Sequence, residues 1–194
     1  MIALRGAAGV GAGIWQLFRA IGGPYIQNSD YGDAPVKDRI EVRGPATAGP
    51  ADPLGYCNNA SLRKAARRLG KLYDAVLEPS GLKATQYSLL AQIHALGHPT
   101  MAGLANSLLM DLSATRHSLG PLIRDGFVLL RVDAKDRRVK RVVLTAAGVA
   151  KFREATQLWR KAQGRFEKAF GSARAAKLRA ELKLLTSEGF EGAF

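Results

Sequence analysis

Apolar residues recur at three- and four-residue intervals between Leu62 and Leu77, which is the period of one face of an α-helix. The triplet Pro79-Ser80-Gly81 then interrupts the pattern. The spacing therefore predicts a long amphipathic helix within residues 56–79. Its polar face carries five basic residues: Arg63, Lys64, Arg67, Arg68 and Lys71.

Three shorter helices are predicted next. The first opens at Ala84 or Thr85 and stops at residues 97–99 (Gly-His-Pro), and the second covers residues 101–109 with Thr100 as its N-cap. The third begins after Asp111 or Ser113 and closes at residues 125–126 (Asp-Gly). Two short helices joined by a tight turn are a candidate helix-turn-helix.

A β-hairpin and two further helices complete the pattern. Residues 127–132 and 139–144 are rich in β-branched and apolar residues, and the polar turn 133–138 separates them. Thr145 caps a long helix that reaches about residue 170, and Ser172 starts a last helix that reaches about residue 186. The order predicts a mainly α (α+β) fold, a winged helix-turn-helix domain flanked by long terminal helices.

Charge divides the chain in two. The whole chain has 29 Lys and Arg residues against 16 Asp and Glu residues, a formal net charge of +13. Residues 1–52 hold five basic and five acidic residues, so the entire excess lies in residues 53–194. Such a balance favours a polyanionic partner, either nucleic acid or, less often, an anionic membrane.

Residues 1–52 are rich in Gly, Ala and Pro and show no sustained period. We interpret them as a poorly ordered leader, or as the product of a start codon placed too far upstream. A secretory signal is the alternative, because an apolar stretch follows Arg5, but its glycines weaken a helix. The working domain is expected to be residues 53–194.

The sequence lacks the residues that several classes of protein function require. The chain has one cysteine, Cys57, and three histidines, so we expect no metal site and no cofactor, and interpret His94 and His98 as structural or surface residues. No apolar run reaches the ~18 residues needed to span a bilayer, so no membrane partner is expected. Gly-x-Ser-x-Gly, Walker A and HExxH motifs do not occur, which disfavours an enzyme.

Residues 82–145 resemble the MarR family of bacterial winged-helix transcription regulators. The similarity rests on six stretches in matching order, at residues 81–90, 104–108, 111–116, 121–128, 136–138 and 143–148. It continues more loosely over residues 57–170 and does not cover residues 1–50. Ala114 stands where the family often has Thr or Ser, and Phe127 where it often has Leu.

The resemblance implies which residues contact DNA. The recognition helix would run from Ser113 to about residue 123 and enter the major groove, and the hairpin would form a wing over the minor groove. Arg138 would be inserted there, with Asp136 orienting its guanidinium and Arg137 on phosphate. A capped, exposed helix and a solvated turn are the alternatives. In the recognition helix the expected DNA-binding residues are Ser113, Thr115, Arg116 and His117.

The resemblance also implies a cytoplasmic homodimer, paired through residues 56–79 and 146–188. It would be a repressor released from a palindromic DNA operator by a small aromatic or phenolic effector. Tyr87 and Trp159 are core or interface aromatics by their spacing, and the alternative places them at the effector cavity. The basic face of the first helix is interpreted as a solvated surface that attracts DNA, or else as part of a pocket or interface.

Cys57 suggests a different switch. Some MarR-like regulators of the organic hydroperoxide response use a cysteine of the first helix, and Tyr73 matches the tyrosine that partners the sensor thiol. With the register fixed on Tyr73, however, the sensor position falls at Asn59. The alternatives are a peroxide sensor working through Cys57 and an unreactive or pocket-lining thiol. A non-specific architectural DNA-binding protein is the alternative from another class.

Overall fold

The computed structural model describes residues 57–193. The chain divides into two units, Met1–Leu62 and Arg63–Phe194, and the predicted leader, residues 1–52, lies outside the described residues. The elements, in chain order, are α1 (Asn58–Leu77), a 3-10 turn (Glu78–Ser80), α2 (Ala84–Leu96), α3 (Met101–Ser107), α4 (Leu112–Arg124), β1 (Val128–Val132), β2 (Lys140–Leu144), α5 (Ala146–Phe170), α6 (Ser172–Leu185) and α7 (Glu188–Glu191).

The helix starts follow the capping residues. The Thr100 and Thr145 hydroxyls each accept the amide three residues ahead, at 3.0 Å, as predicted. For α4 the sequence left two candidates, and the cap is Asp111, whose Oδ1 accepts the Ala114 amide at 2.7 Å. Ser113 therefore lies within the first turn of α4. The short helix α7, capped by Ser187, was not predicted.

The start of α2 is fastened to α1. The Ala84 amide donates to Oδ1 of Asp74 at 2.7 Å, so a side chain from the preceding helix satisfies one of the unpaired N–H groups at this terminus. The Lys83 amide donates to the Gln86 side chain at 2.8 Å. The helix begins at Ala84 rather than Thr85.

The core surrounds α2, which packs on α3, α4, α5 and β2. Each large apolar side chain that is fully buried there stabilises the fold by roughly 1.5–3 kcal/mol relative to leaving it exposed. The core members are contributed by every element from α1 to α5; they include Leu77, Leu90, Ile93, Leu104, Leu119, Leu122, Val128, Val142 and Phe152.

The predicted hairpin is present. β1 and β2 pair antiparallel, with Val128 opposite Leu144 and Val132 opposite Lys140. A third segment lies along the other edge of β2, where the Val142 amide donates to the Pro99 carbonyl at 2.8 Å. The loop before α3 thus anchors the hairpin to the helix-turn-helix.

The root of the hairpin is fixed to the start of α5. The Thr145 amide donates to the Phe127 carbonyl at 3.0 Å, and the Thr145 hydroxyl donates to the Gly126 carbonyl at 2.7 Å. Gly148 packs so closely here that a Cβ would overlap the Phe127 carbonyl oxygen and lie 2.8 Å from its carbon. Only glycine permits this approach between the two backbones.

Lys151 adds a second connection at the same place. Its Nζ donates to the Ser80 carbonyl at 3.2 Å and to Glu154 at 2.8 Å, and it lies 5.9 Å from the centroid of the Phe127 ring. One side chain therefore joins α5, the turn after α1 and the hairpin root.

We predict that Gly148→Ala lowers the free energy of unfolding by about 1–3 kcal/mol, because the added methyl forces α5 away from Phe127. Urea denaturation followed by circular dichroism measures the effect. Gly164→Ala is the matched control in the same helix, where a Cβ meets nothing within 4 Å. It should be neutral or stabilise by up to about 1 kcal/mol. Equal effects of the two substitutions would contradict the packing argument.

His94 is a polar residue against the core. Its Nε2 atom is buried and has no hydrogen-bond partner within the described part of the chain. Its ring centroid lies 4.8 Å from that of Phe152. Burial, and secondarily the positive charge of Arg153, lowers the pKa of His94 below its ordinary value. The fold thus favours the neutral imidazole.

Stability should consequently depend on pH in one direction. The unfolded chain takes up a proton near the ordinary pKa of 6.5, whereas the folded chain resists protonation to lower pH. The contribution of neutral His94 is therefore present above that pKa and is lost as the pH falls through the lowered folded-state pKa. We predict that His94→Phe flattens the loss of stability between about pH 7 and about pH 5. His117→Gln, at an exposed histidine, should leave the slope intact; an unchanged slope in His94→Phe would refute the assignment.

Candidate nucleic-acid interface

Helix α4 has one buried and one exposed face. Thr115, Leu119 and Leu122 face the core. The opposite face is in water, and all of its charged or titratable side chains are basic or imidazole groups. Because it is a face of the second helix of a helix-turn-helix, it can enter a groove of a polyanionic duplex. Its exposed side chains are Leu112, Ser113, Arg116, His117, Ile123 and Arg124.

Thr115 does not lie on this face, contrary to the prediction. Its side chain is fully buried, and its hydroxyl donates to the Asp111 carbonyl at 2.8 Å. It belongs to the core side of α4, where it helps to hold the first turn. Leu119 and Leu122 lie four and seven residues later and share its face. This helical spacing in the sequence indicates that Thr115 belongs to the buried side of the helix.

The tip of the wing is shaped by Asp133. Its Oδ1 accepts the amides of Lys135 at 2.9 Å and Asp136 at 3.2 Å. Its other oxygen pairs with Arg141, whose Nη1 also donates to the His98 carbonyl at 3.0 Å. The Arg141 bond, and then the two amides, hold the pKa of Asp133 below its ordinary value. The carboxylate thus fixes the turn against β2 and the loop before α3.

Asp136 has a different role from the predicted one. Its Oδ1 accepts the backbone amide of Arg138 at 2.9 Å, so it orders the chain at this residue rather than orienting the guanidinium. The ion pair of the wing is instead Asp133–Arg141, which sequence reasoning missed. The pairing depends on the hairpin register, which the sequence does not fix. The sequence does place an aspartate at the first position of a turn, where its carboxylate commonly stabilises the turn.

Two arginines stand free on this turn. Arg137 and Arg138 are exposed, and the ion pairs found within residues 57–193, namely Arg141–Asp133, Lys151–Glu154 and Arg179–Glu167, include neither of them. Their charge therefore faces solvent, next to the exposed Lys135 and Lys140. A compact positive projection of this kind suits a narrow groove of high negative potential.

The candidate effector residues Tyr73, Tyr87 and Trp159 lie on α1, α2 and α5. Tyr87 is buried in the core, as one interpretation predicted, and its ring stacks on Phe152 at 5.8 Å and on the half-buried Trp159 at 5.9 Å. Tyr73 is half-buried, and its hydroxyl donates to Gln163 at 2.8 Å. Burial, and then the charge of Glu167, raises the pKa of Tyr73, with Arg179 opposing.

Cys57 directly precedes α1, and its Sγ accepts the Ala60 amide at 3.4 Å. It lies in the first of the two units, Met1–Leu62. Among the described residues no group of three or more His, Cys, Asp and Glu side chains could hold a metal ion. No helix among them is long and apolar enough to cross a membrane.

No protein-family model matches the chain, and no curated protein sequence matches it. Solved structures do. The chain is similar to the Mycobacterium tuberculosis transcriptional regulator MosR in complex with DNA, with 35% identity over 71% of this chain and 98% of that one, and a TM-score of 0.63.

Two more distant structures share the fold. Wild-type MarR from Escherichia coli is 24% identical over 66% of this chain and 96% of that one, with a TM-score of 0.55. A MarR-family transcriptional regulator from Rhodococcus is 21% identical over 66% of this chain and 91% of that one, with a TM-score of 0.59.

Proposed function

The chain belongs to the MarR family of winged helix-turn-helix transcription regulators, and we propose that it is a homodimeric repressor that binds a near-palindromic duplex DNA site. The observation that carries this proposal is the exposed basic face of α4 beside a wing whose Arg137 and Arg138 take part in none of the ion pairs found within residues 57–193. The similar MosR structure contains DNA, which supports the same partner here. The regulators of this family are not enzymes.

The two DNA-reading elements, α4 and the wing, would contact different grooves of the duplex. Ser113, Arg116 and His117 would face base edges in the major groove, where an arginine pairs bidentately with guanine. Arg138 would enter the minor groove and Arg137 would contact phosphate. Phosphate contacts would supply much of the affinity and make it fall steeply with salt.

The dimer is proposed from surfaces that one copy leaves in water. Residues 61–68 of α1 are all exposed, Leu72 farther along the helix is 52% exposed, and Leu182, Leu184 and Leu185 of α6 are exposed as well. Exposed leucines on terminal helices support a protein partner, and a second copy would cover them symmetrically. Two recognition helices would then lie about one DNA turn apart.

The regulation we propose is a shift between two dimer geometries. A small aromatic or phenolic molecule would bind between the dimerisation helices and the winged domain, near Tyr73, Trp159 and the aromatic stack of Tyr87. Its preference for the geometry that binds DNA poorly would lower DNA affinity. In this proposal residues 82–145 read DNA in the cytoplasm, residues 56–79 and 146–188 form the dimer, and residues 1–52 are dispensable.

We predict that Arg138→Ala weakens binding to a duplex selected from random sequence by about 1–3 kcal/mol, because it removes the inserted contact. A gel-shift titration at fixed salt measures it. Lys161→Ala is the control, since it removes one exposed positive charge from α5, outside the wing. Unchanged binding by Arg138→Ala would contradict the assignment. Binding that random competitor DNA abolishes would instead favour an architectural protein.

Cys57 supports a second candidate switch. Its sulfur sits at the N-terminus of α1 and accepts an amide hydrogen from Ala60. Thiolate attack on the outer oxygen of an organic hydroperoxide breaks the O–O bond and gives the sulfenate and an alcohol. In this alternative, oxidation would release the protein from DNA.

If this switch operates, cumene hydroperoxide should release wild-type protein from the selected duplex, and thiol reductant should restore binding. Cys57→Ser should stay bound under the same treatment, because it lacks the oxidisable sulfur. Gel shifts of both proteins before and after oxidation make the comparison. Equal release of both, or release of neither, would exclude the thiol as the switch.

A further inference from the structure

Leu109 is an apolar residue in an unfavourable position. At 70% exposure it is the most exposed large apolar side chain of the described residues, and its φ is +52°, a backbone conformation that favours glycine. It lies in the turn between α3 and α4, held by bonds from its own amide to Asn106 at 3.1 Å and from Met110 to Ala105 at 3.0 Å. These two bonds cap the C-terminal end of α3 and accompany the left-handed backbone of Leu109, whereas its apolar side chain stays in water at a cost in free energy.

Leu112 extends the same feature. It is the first residue of α4 and is 43% exposed. It precedes Arg116 by four residues, so the two side chains share one face of the helix. Leu109 and Leu112 stand on either side of Asp111, the N-cap. Two exposed apolar side chains therefore flank Asp111 at the N-terminal end of α4.

The residues around Leu109 and Leu112 indicate which kind of partner would cover these two side chains. The rest of this face carries Ser113, Arg116 and His117, and the nearby carboxylate of Asp111 is engaged with the Ala114 amide. An acidic or purely apolar protein surface matches only part of this pattern. The major groove of DNA matches all of it, since its edges are polar except for the C5 methyl group of thymine.

We propose that Leu109 and Leu112 contact thymine methyl groups and make α4 select thymines at fixed positions of each half-site. The inference rests on the proposed function and adds a base preference to it. In the complex, the leucines would bury their apolar surface against the methyl groups, which would offset the exposure of these side chains in the free protein.

The test removes the methyl group alone. Each thymine of the selected duplex is replaced in turn by deoxyuridine, which keeps base pairing and charge. For wild-type protein, at least one replacement in each half-site should lower affinity about fourfold, from roughly 0.8 kcal/mol per buried methyl-sized group. Each of the two variants, Leu109→Ala and Leu112→Ala, should lose this discrimination at one such position. There it should bind the thymine duplex and the deoxyuridine duplex with equal affinity.

Leu129→Ala is the matched control, since Leu129 is 40% exposed, close to Leu112, but lies on β1 outside α4; it should keep the discrimination. Equal wild-type binding to thymine and deoxyuridine at every position would overturn the proposal. So would leucine variants that still discriminate, or that change self-association in sedimentation while binding DNA normally. If no duplex is enriched from random sequence, the proposed function fails and this inference falls with it.

Discussion

The contact between Gly148 and the Phe127 carbonyl is the constraint on which the arrangement of α4, the wing and α5 depends. Helix α4 ends at Arg124, three residues before Phe127; the wing leaves from this point and α5 starts against it. Thr145 holds the same junction through its amide and its hydroxyl. Because two backbones touch where only glycine fits, neither the wing nor α4 can move independently of α5 without opening the junction.

Two side chains extend this junction to α1. Lys151 reaches the Ser80 carbonyl after α1, and Asp74 within α1 caps the start of α2. A change in the packing of the terminal helices would therefore be transmitted to the DNA-reading elements through hydrogen bonds and packed backbone. The proposed regulation requires such a connection between the terminal helices and the DNA-reading elements. The connected elements are tightly packed, so they can adopt few alternative positions.

Much of the fold could be predicted from the periodicity of apolar residues and from the helix-capping residues. The spacing of apolar residues located the helices and the hairpin, and Thr100 and Thr145 marked their starts correctly. The site was less predictable, because it depends on which way each side chain faces. Thr115 was grouped with its exposed neighbours although the core lies on its side of α4. The Asp133–Arg141 pair depends on the hairpin register, and Asp136 accepts a local backbone amide instead of a guanidinium.

Hydroxyl-radical footprinting of wild-type protein on the selected duplex tests the central claim most directly, that two copies of α4 and its wing read duplex DNA together. We expect two protected patches on one face of the duplex, related by approximate symmetry and centred about 10 base pairs apart. A single short patch, or even protection along the whole duplex, would contradict the account.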